Sequence, residues 1–182
     1  TVIGGQFVYG EGHAERPIPL FLGLYGIGWA GFVAGCILVW RGDARTAAGI
    51  VVIGLLARAL VLPSNLIQEN DCYRYVLDGE ALLHGVNPYA FAPDEVLREA
   101  PAPLREEAAT EEGELLLSRV GYPWIPTIYP PLAQAAFAVG AFLTPWHWMG
   151  QRIVFTACDV ATMFVLLHLL RRLGRNPAWI VF

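Results

Sequence analysis

The sequence predicts an all-α fold of the multi-span transmembrane kind, and three observations carry that prediction. Four apolar stretches, at about 18–40, 46–67, 132–149 and 152–170, approach or reach the ~20 residues that a helix needs to cross a bilayer. Hydrophobic residues make up 55% of the 182-residue chain, above the ~45–50% usual for soluble domains. Most of the acidic residues fall in one long segment, 68–131, between the second and third stretches. A further apolar run begins at Pro177. The chain opens at Thr1 and stops inside that run at Phe182, so it reads as the N-terminal part of a longer membrane protein.

Each element follows from its residues. Residues 1–17 are Gly-rich and polar, with neither the basic n-region nor the cleavage site of a signal peptide. In 18–40, Gly23, Gly26, Gly28, Gly31 and Gly35 suit close helix–helix approach, and Trp40 with Arg41 closes the span at an interface. Arg41 and Arg45 flank a short turn and mark the cytoplasmic side by the positive-inside bias. The return span, 46–67, carries Arg58, which is costly in a bilayer unless it pairs or snorkels. Pro63-Ser64-Asn65 ends it.

The loop 68–131 is therefore expected on the extracytoplasmic face. A helix over 72–85 would lie along the interface, with Leu77, Leu82 and Leu83 on lipid and Asp71, Arg74 and Asp78 toward solvent or a cavity. A Pro-punctuated turn follows over 85–93, then an acidic segment, 94–119, with one short helix. The rigid aromatic run Tyr122–Pro131 suits an interface anchor. Asp159 sits inside the fourth span, and Arg171, Arg172 and Arg175 follow it. Two rules collide here. If every stretch crosses once, these arginines lie opposite Arg41 and Arg45, whereas the positive-inside bias puts them on the same side. Either 132–149 does not cross fully or one cluster is an exception.

Composition also excludes. The net charge is −4 and the loop supplies it, so the chain lacks the basic footprint of a nucleic-acid binder. Cys36, Cys72 and Cys158 have no metal-type spacing and read as free thiols, and His84, His147 and His168 form no ligand cluster in the sequence.

The stretch Glu69-Asn70-Asp71-Cys72-Tyr73-Arg74-Tyr75-Val76-Leu77-Asp78-Gly79 concentrates the chemistry. On a helix Asp71, Arg74, Tyr75 and Asp78 share one face. A surface ion-pair ladder would also use these residues, and such ladders contribute little. Position decides against that bland reading, because ionisable groups held at membrane depth mark a site or a pathway. Sugar transfer needs a base for an acceptor hydroxyl and a cation for the leaving phosphate. Asp71 and Arg58 supply those types. Asp159 reads as a helix-packing acid with a buried partner, and the Glu111–Glu114 run as a solvated face.

The same residues carry a resemblance. Glu69-Asn70-Asp71 resembles the E-x-D form of the modified D-x-D signature of the GT-C membrane glycosyltransferases. Asp71-Cys-Tyr-Arg-Tyr-Val-Leu-Asp78-Gly79, then Gly85-Val-Asn-Pro-Tyr89 with Ala92-Pro93, then Thr127-Ile-Tyr-Pro-Pro-Leu-Ala-Gln134, is similar to bacterial polyprenol-dependent mannosyltransferases, over about residues 58–175. The resemblance implies an inner-membrane enzyme of about ten or more crossings. It implies inverting transfer of a hexose, mannose first, from a polyprenyl-phosphate carrier to a glycan or lipid acceptor on the extracytoplasmic face. It makes Asp71 the general base, and Arg74, Asp78, Asn87, Tyr89 and Tyr129 site-lining candidates beside Pro130; Arg58 and Glu69 are substrate-binding candidates by their own position and charge. Some members of the family use a divalent cation, Mg or Mn, for which Glu69 and Asp71 are the candidate ligands. Leu77 departs from the Trp common in relatives, which leaves the sugar open. The rivals are a transporter or flippase of lipid-linked sugars, working through Arg58 and Asp159, and a non-catalytic scaffold.

Overall fold

A computed structural model of the protein describes residues 18–40, 44–64 and 70–181. The expectations for 1–17, for Arg41 and for Glu69 fall outside the described residues. Among those residues every regular element is helical: α1 (Ile18–Val39), α2 (Ala44–Val61), α3 (Asp71–Leu83), α4 (Val96–Glu99), α5 (Ala102–Ala108), α6 (Glu111–Arg119), α7 (Pro131–Leu143) and α8 (Met149–Arg172). Short 3-10 turns cover Pro93–Glu95 and Pro177–Val181. The chain divides into a terminal unit, 1–68 with 156–182, and a central unit, 69–155.

Two helices are long and apolar enough to cross a membrane: Ile18–Ile37 within α1, in the terminal unit, and α8, whose residues from 156 onward belong to that unit. The second expected span, 46–67, forms the 18-residue α2, with Arg45 in its first turn and Arg58 in its last. None of the Ile18–Ile37 stretch is buried, and a Cβ added at Gly23, Gly26, Gly31 or Gly35 would meet nothing within 4 Å. The small-residue face of α1 is thus open among the described residues. The fifth apolar run appears as the 3-10 turn Pro177–Val181, which packs against α2. Trp179 lies 6.4 Å from Trp40 between ring centroids. That contact brings the C-terminal ends of α1 and α8 together, so Arg45 and the pair Arg171 and Arg172 lie at one end of the unit.

The central unit is organised by the packing of α3 on α7. A Cβ at Gly79 would collide with the Phe137 carbonyl and with Ala141, so glycine is what allows the two backbones to approach. Gly85, at φ 70°, ends α3, and Val86 N–H returns to the Ala81 carbonyl at 2.8 Å. The core between them holds Val76, Leu77, Ala81, Leu104, Phe137 and Ala141. Leu77 departs from its expected outward place and is buried, as are Arg74 and Asp78, whereas Leu83 is exposed. The reason is that α3 is covered by protein on this face, so its polar residues find partners inside. The acidic segment 94–119 contains three helices where one was expected. Thr110 caps α6 by accepting from Gly113 N–H at 3.3 Å, and Glu111, Glu112 and Glu114 fill its first turn, where the helix dipole favours anions.

The expected third span is the largest departure. The apolar stretch 132–149 forms α7, 13 residues long. That is about 20 Å at 1.5 Å per residue, against ~30 Å of hydrocarbon core. Pro130 and Pro131 start the helix, as proline suits a first turn. At the other end the chain turns at Thr144-Pro145-Trp146, where the Thr144 hydroxyl donates to the His147 carbonyl at 3.0 Å and accepts Gly150 N–H at 2.6 Å. The buried face of α7 is Gln134, Phe137, Gly140 and Ala141. Its other face exposes Leu132, Val139, Phe142 and Leu143.

Candidate functional site

Asp71 opens α3, half-buried, where the N-terminal dipole favours a carboxylate. Its Oδ2 accepts the Tyr129 hydroxyl at 2.9 Å. Burial, together with hydrogen bonds to Tyr75 and Asp71, pushes the Tyr129 phenol far above its ordinary value, so it stays a donor. Tyr129 is itself fixed: Tyr89 donates its hydroxyl to the Tyr129 carbonyl, and the ring meets Tyr75 edge-on at 5.0 Å and Phe137 at 5.5 Å. Tyr75 stacks on Phe137 at 4.5 Å and meets Phe155 edge-on at 5.7 Å. Asp71 therefore sits on a packed aromatic floor built from α3, α7, the segment before α7 and the start of α8. Of the expected site residues, Tyr129 touches the Asp71 carboxylate and Tyr89 reaches the Tyr129 carbonyl.

Arg74 and Asp78 share the same helix but turn inward. Arg74 donates to the Ile125 carbonyl at 2.8 Å and to the Tyr122 carbonyl at 3.0 Å. Asp78 accepts from Gln134 Nε2 at 2.9 Å and from the Thr127 hydroxyl. Burial pushes the Asp78 carboxyl up, against the opposing pull of Thr127, Gln134 and Arg74. Burial likewise lowers Arg74, against the pull of Asp78, Tyr129 and Asp71. Desolvation thus costs both partners, and what the pair delivers is position: it holds the 122–127 segment to α3. The cavity beside them, lined by Arg74, Asp78, Asn87 and Phe91, is about 20 Å³. That accommodates one water molecule and no sugar ring. Asn87 is exposed, and its Oδ1 accepts the Tyr89 backbone N–H at 3.1 Å, an Asx turn that sets the Tyr89 loop.

Arg58 belongs to the terminal unit, where its Nε pairs with Asp159 Oδ2 at 2.5 Å and its Nη1 donates to the Gly54 carbonyl. A cation with those partners is committed to α8. The central unit supplies another that sequence reading passed over. Arg152 lies in the first turn of α8, its guanidinium 4.6 Å above the Trp148 ring, within electrostatic reach of Cys72 beside Asp71. Its signal in the sequence is the pair Trp148 and Arg152, one turn apart at the start of an apolar helix. Gln151 next to it is 1% exposed and donates to the Phe137 carbonyl at 2.8 Å, locking α8 to α7 across Gly140.

Among the described residues, the one group of three clustered carboxylate, imidazole or thiol side chains is Glu80, His84 and Glu107, and Asp71 is not in it. Asp71 accepts from a phenol, and Glu69, the other expected cation ligand, lies outside the described residues. Compared with protein families, curated proteins and solved structures, the chain matches none.

Proposed function

We propose that this chain is the catalytic part of a membrane glycosyltransferase of the GT-C type. It transfers a hexose, mannose first, from a polyprenyl-phosphate carrier to a glycan or lipid acceptor at the extracytoplasmic face of a bacterial inner membrane. The observation that carries this reading is the Asp71 carboxylate, held by the Tyr129 hydroxyl over an aromatic floor, with a cation in the same unit at the head of a helix long enough to span. Asp71 takes the proton of the acceptor hydroxyl. The freed oxygen lone pair bonds to the anomeric carbon from the face opposite the phosphate. The carbon–oxygen bond to phosphate breaks, and the leaving phosphate keeps that electron pair. Arg152 is the cation that receives the phosphate charge, since a guanidinium matches phosphate oxygens in pairs. Tyr89, the exposed one of the three tyrosines Tyr75, Tyr89 and Tyr129, offers its ring to the sugar.

The test is transfer by the full-length protein from labelled polyprenyl-phosphate-mannose, wild type against Asp71→Asn. Loss of the base is expected to slow transfer by about 10²–10⁴-fold, with donor binding retained. Equal product from both proteins overturns the assignment. The Arg58–Asp159 pair is what favours the transporter reading, since paired charges inside helices mark substrate paths. A transporter keeps moving substrate when Asp71 is changed.

A further inference from the structure

Three ionisable side chains that the transfer chemistry leaves unused meet at one point of the central unit. Glu80 is 2% exposed near the end of α3, His84 lies one turn further on, and Glu107 is on α5. His84 Nδ1 is 2.8 Å from the Glu80 carbonyl oxygen, and Nε2 is 3.1 Å from Glu107 Oε1. A carbonyl oxygen can only accept, so Nδ1 carries a proton. An ionised carboxylate also only accepts, so a hydrogen bond at Nε2 needs a second proton. Both contacts are satisfied together by the imidazolium, whose charge the C-terminal end of α3 favours. The ring of contacts continues through Trp146. Its indole N–H donates to Glu107 Oε2 at 3.0 Å, and its backbone N–H donates to Glu80 Oε1 at 2.7 Å. Trp146 has φ 53°, a left-handed conformation that a non-glycine residue rarely adopts. These two carboxylates hold it there. The corner they fix, Thr144–Trp148, is the one from which α8 departs.

We propose that His84 is a proton-operated clasp. As imidazolium it ties α5 to the end of α3 and, through Glu107 and Trp146, fixes the corner between α7 and α8; as neutral imidazole it releases Glu107 and loosens that corner. The clasp stands independently of the transfer reading, and its test reads no activity.

The charged groups that act on His84 are Glu80 on its own helix and Glu107 on α5. Partial burial lowers its proton affinity, but the hydrogen bonds to the Glu80 carbonyl and the Glu107 carboxylate, with the two negative charges, outweigh that and raise it. A raised folded value means that the clasp's stabilisation is full below the unfolded value of about 6.5 and is lost as pH rises through the folded one. Glu107 is held below the usual carboxylate range by its hydrogen bonds from Trp146 and His84, so it stays ionised across that window.

The experiment is ¹⁹F NMR of the full chain in nanodiscs with 5-fluorotryptophan, the Trp146 resonance being the one that disappears in Trp146→Phe. It is expected to shift with a single-proton transition centred above about pH 6.5 and to stay still in His84→Gln. No shift between about pH 5 and pH 9, where histidines titrate, overturns the clasp, as does the same transition in His84→Gln. Should His84→Gln not fold, Glu107→Gln serves, since its side chain is half-exposed. It is expected to move the midpoint down, and an unchanged midpoint overturns the clasp. A chelator-induced shift at fixed pH would mean that an ion bridges Nε2 and Oε1, which also overturns it.

Discussion

Asp71 and Arg74 lie one turn apart on α3, and their surroundings give them different work. Asp71 meets a phenol that donates to it and carries no charge. Arg74 is spent on two carbonyls nearly fifty residues away in sequence. Lysine at that position would carry the charge but lacks the planar fork that reaches both oxygens. Arg74→Lys is therefore expected to cost about 1–3 kcal/mol, the penalty of leaving a buried acceptor unpaired, seen as a lower midpoint in thermal unfolding. Unchanged stability with a raised KM for the lipid-linked donor would instead make Arg74 a substrate contact. The shared face of Asp71, Arg74 and Asp78 was legible from spacing. That Arg74 and Asp78 turn inward was not, because their partners at Tyr122, Ile125, Thr127 and Gln134 are brought up by the packing of α3 on α7. Glu80 and His84 carry a visible signal, four residues apart on one helix face, but Glu107 and Trp146 reach them only through the fold.

At the scale of elements, apolar length was the readable quantity and helix termination the hidden one. The long stretch ending at Arg172 was legible because nothing interrupts it, and it forms the 24-residue α8. The stretch 132–149 is as apolar, but Pro145 and the Thr144 hydroxyl stop the helix at Leu143, and Gln151 folds the chain back onto it. Length alone cannot see that stop. Arg58 and Asp159 show the converse: each is an anomaly in its own helix, and together they explain one another. Each lies about 20 Å along its helix from the arginine that ends it, Arg45 on α2 and Arg172 on α8, at 1.5 Å per residue. Equal depth is what two antiparallel helices need for the charges to meet. Asp159→Leu alone leaves the Arg58 guanidinium without its carboxylate partner, at a cost of up to about 1 kcal/mol for a partly exposed pair. Arg58→Leu with Asp159→Leu is expected to recover most of that loss. Denaturant unfolding in bicelles measures both, and a single variant as stable as wild type would show that the pair holds nothing together.

For the whole molecule, the contact between Trp40 and Trp179 and the shortness of α7 bear on the same question, which end of each spanning helix faces the cytoplasm. Trp40 follows α1 and Trp179 follows α8, so their contact puts the C-terminal ends of both helices, with Arg45, Arg171 and Arg172, at one end of the terminal unit. The positive-inside bias assigns that end to the cytoplasm. The proposed extracytoplasmic site then requires a path from α3 to α8 on which α7 does not cross. Helix α7 fits that path: about 20 Å is too short to span, one face packs on α3, and Leu132, Val139, Phe142 and Leu143 are left for lipid at the interface. Two exposed positions on either side of α7 discriminate this path from a full crossing. With the native cysteines Cys36, Cys72 and Cys158 replaced by alanine, Ser118→Cys on α6 and His147→Cys beyond α7 are both expected to react with a membrane-impermeant maleimide added to intact spheroplasts. Arg175→Cys is expected to react only after permeabilisation. If α7 crosses, Ser118→Cys and His147→Cys fall on opposite sides, and the corner that Glu80, Glu107 and Trp146 hold would then have to sit across the membrane from α6. The hydrogen bonds from Trp146 to Glu80 and Glu107 leave no length of chain for that, so protection of His147→Cys would overturn the proposed extracytoplasmic site at Asp71 as well.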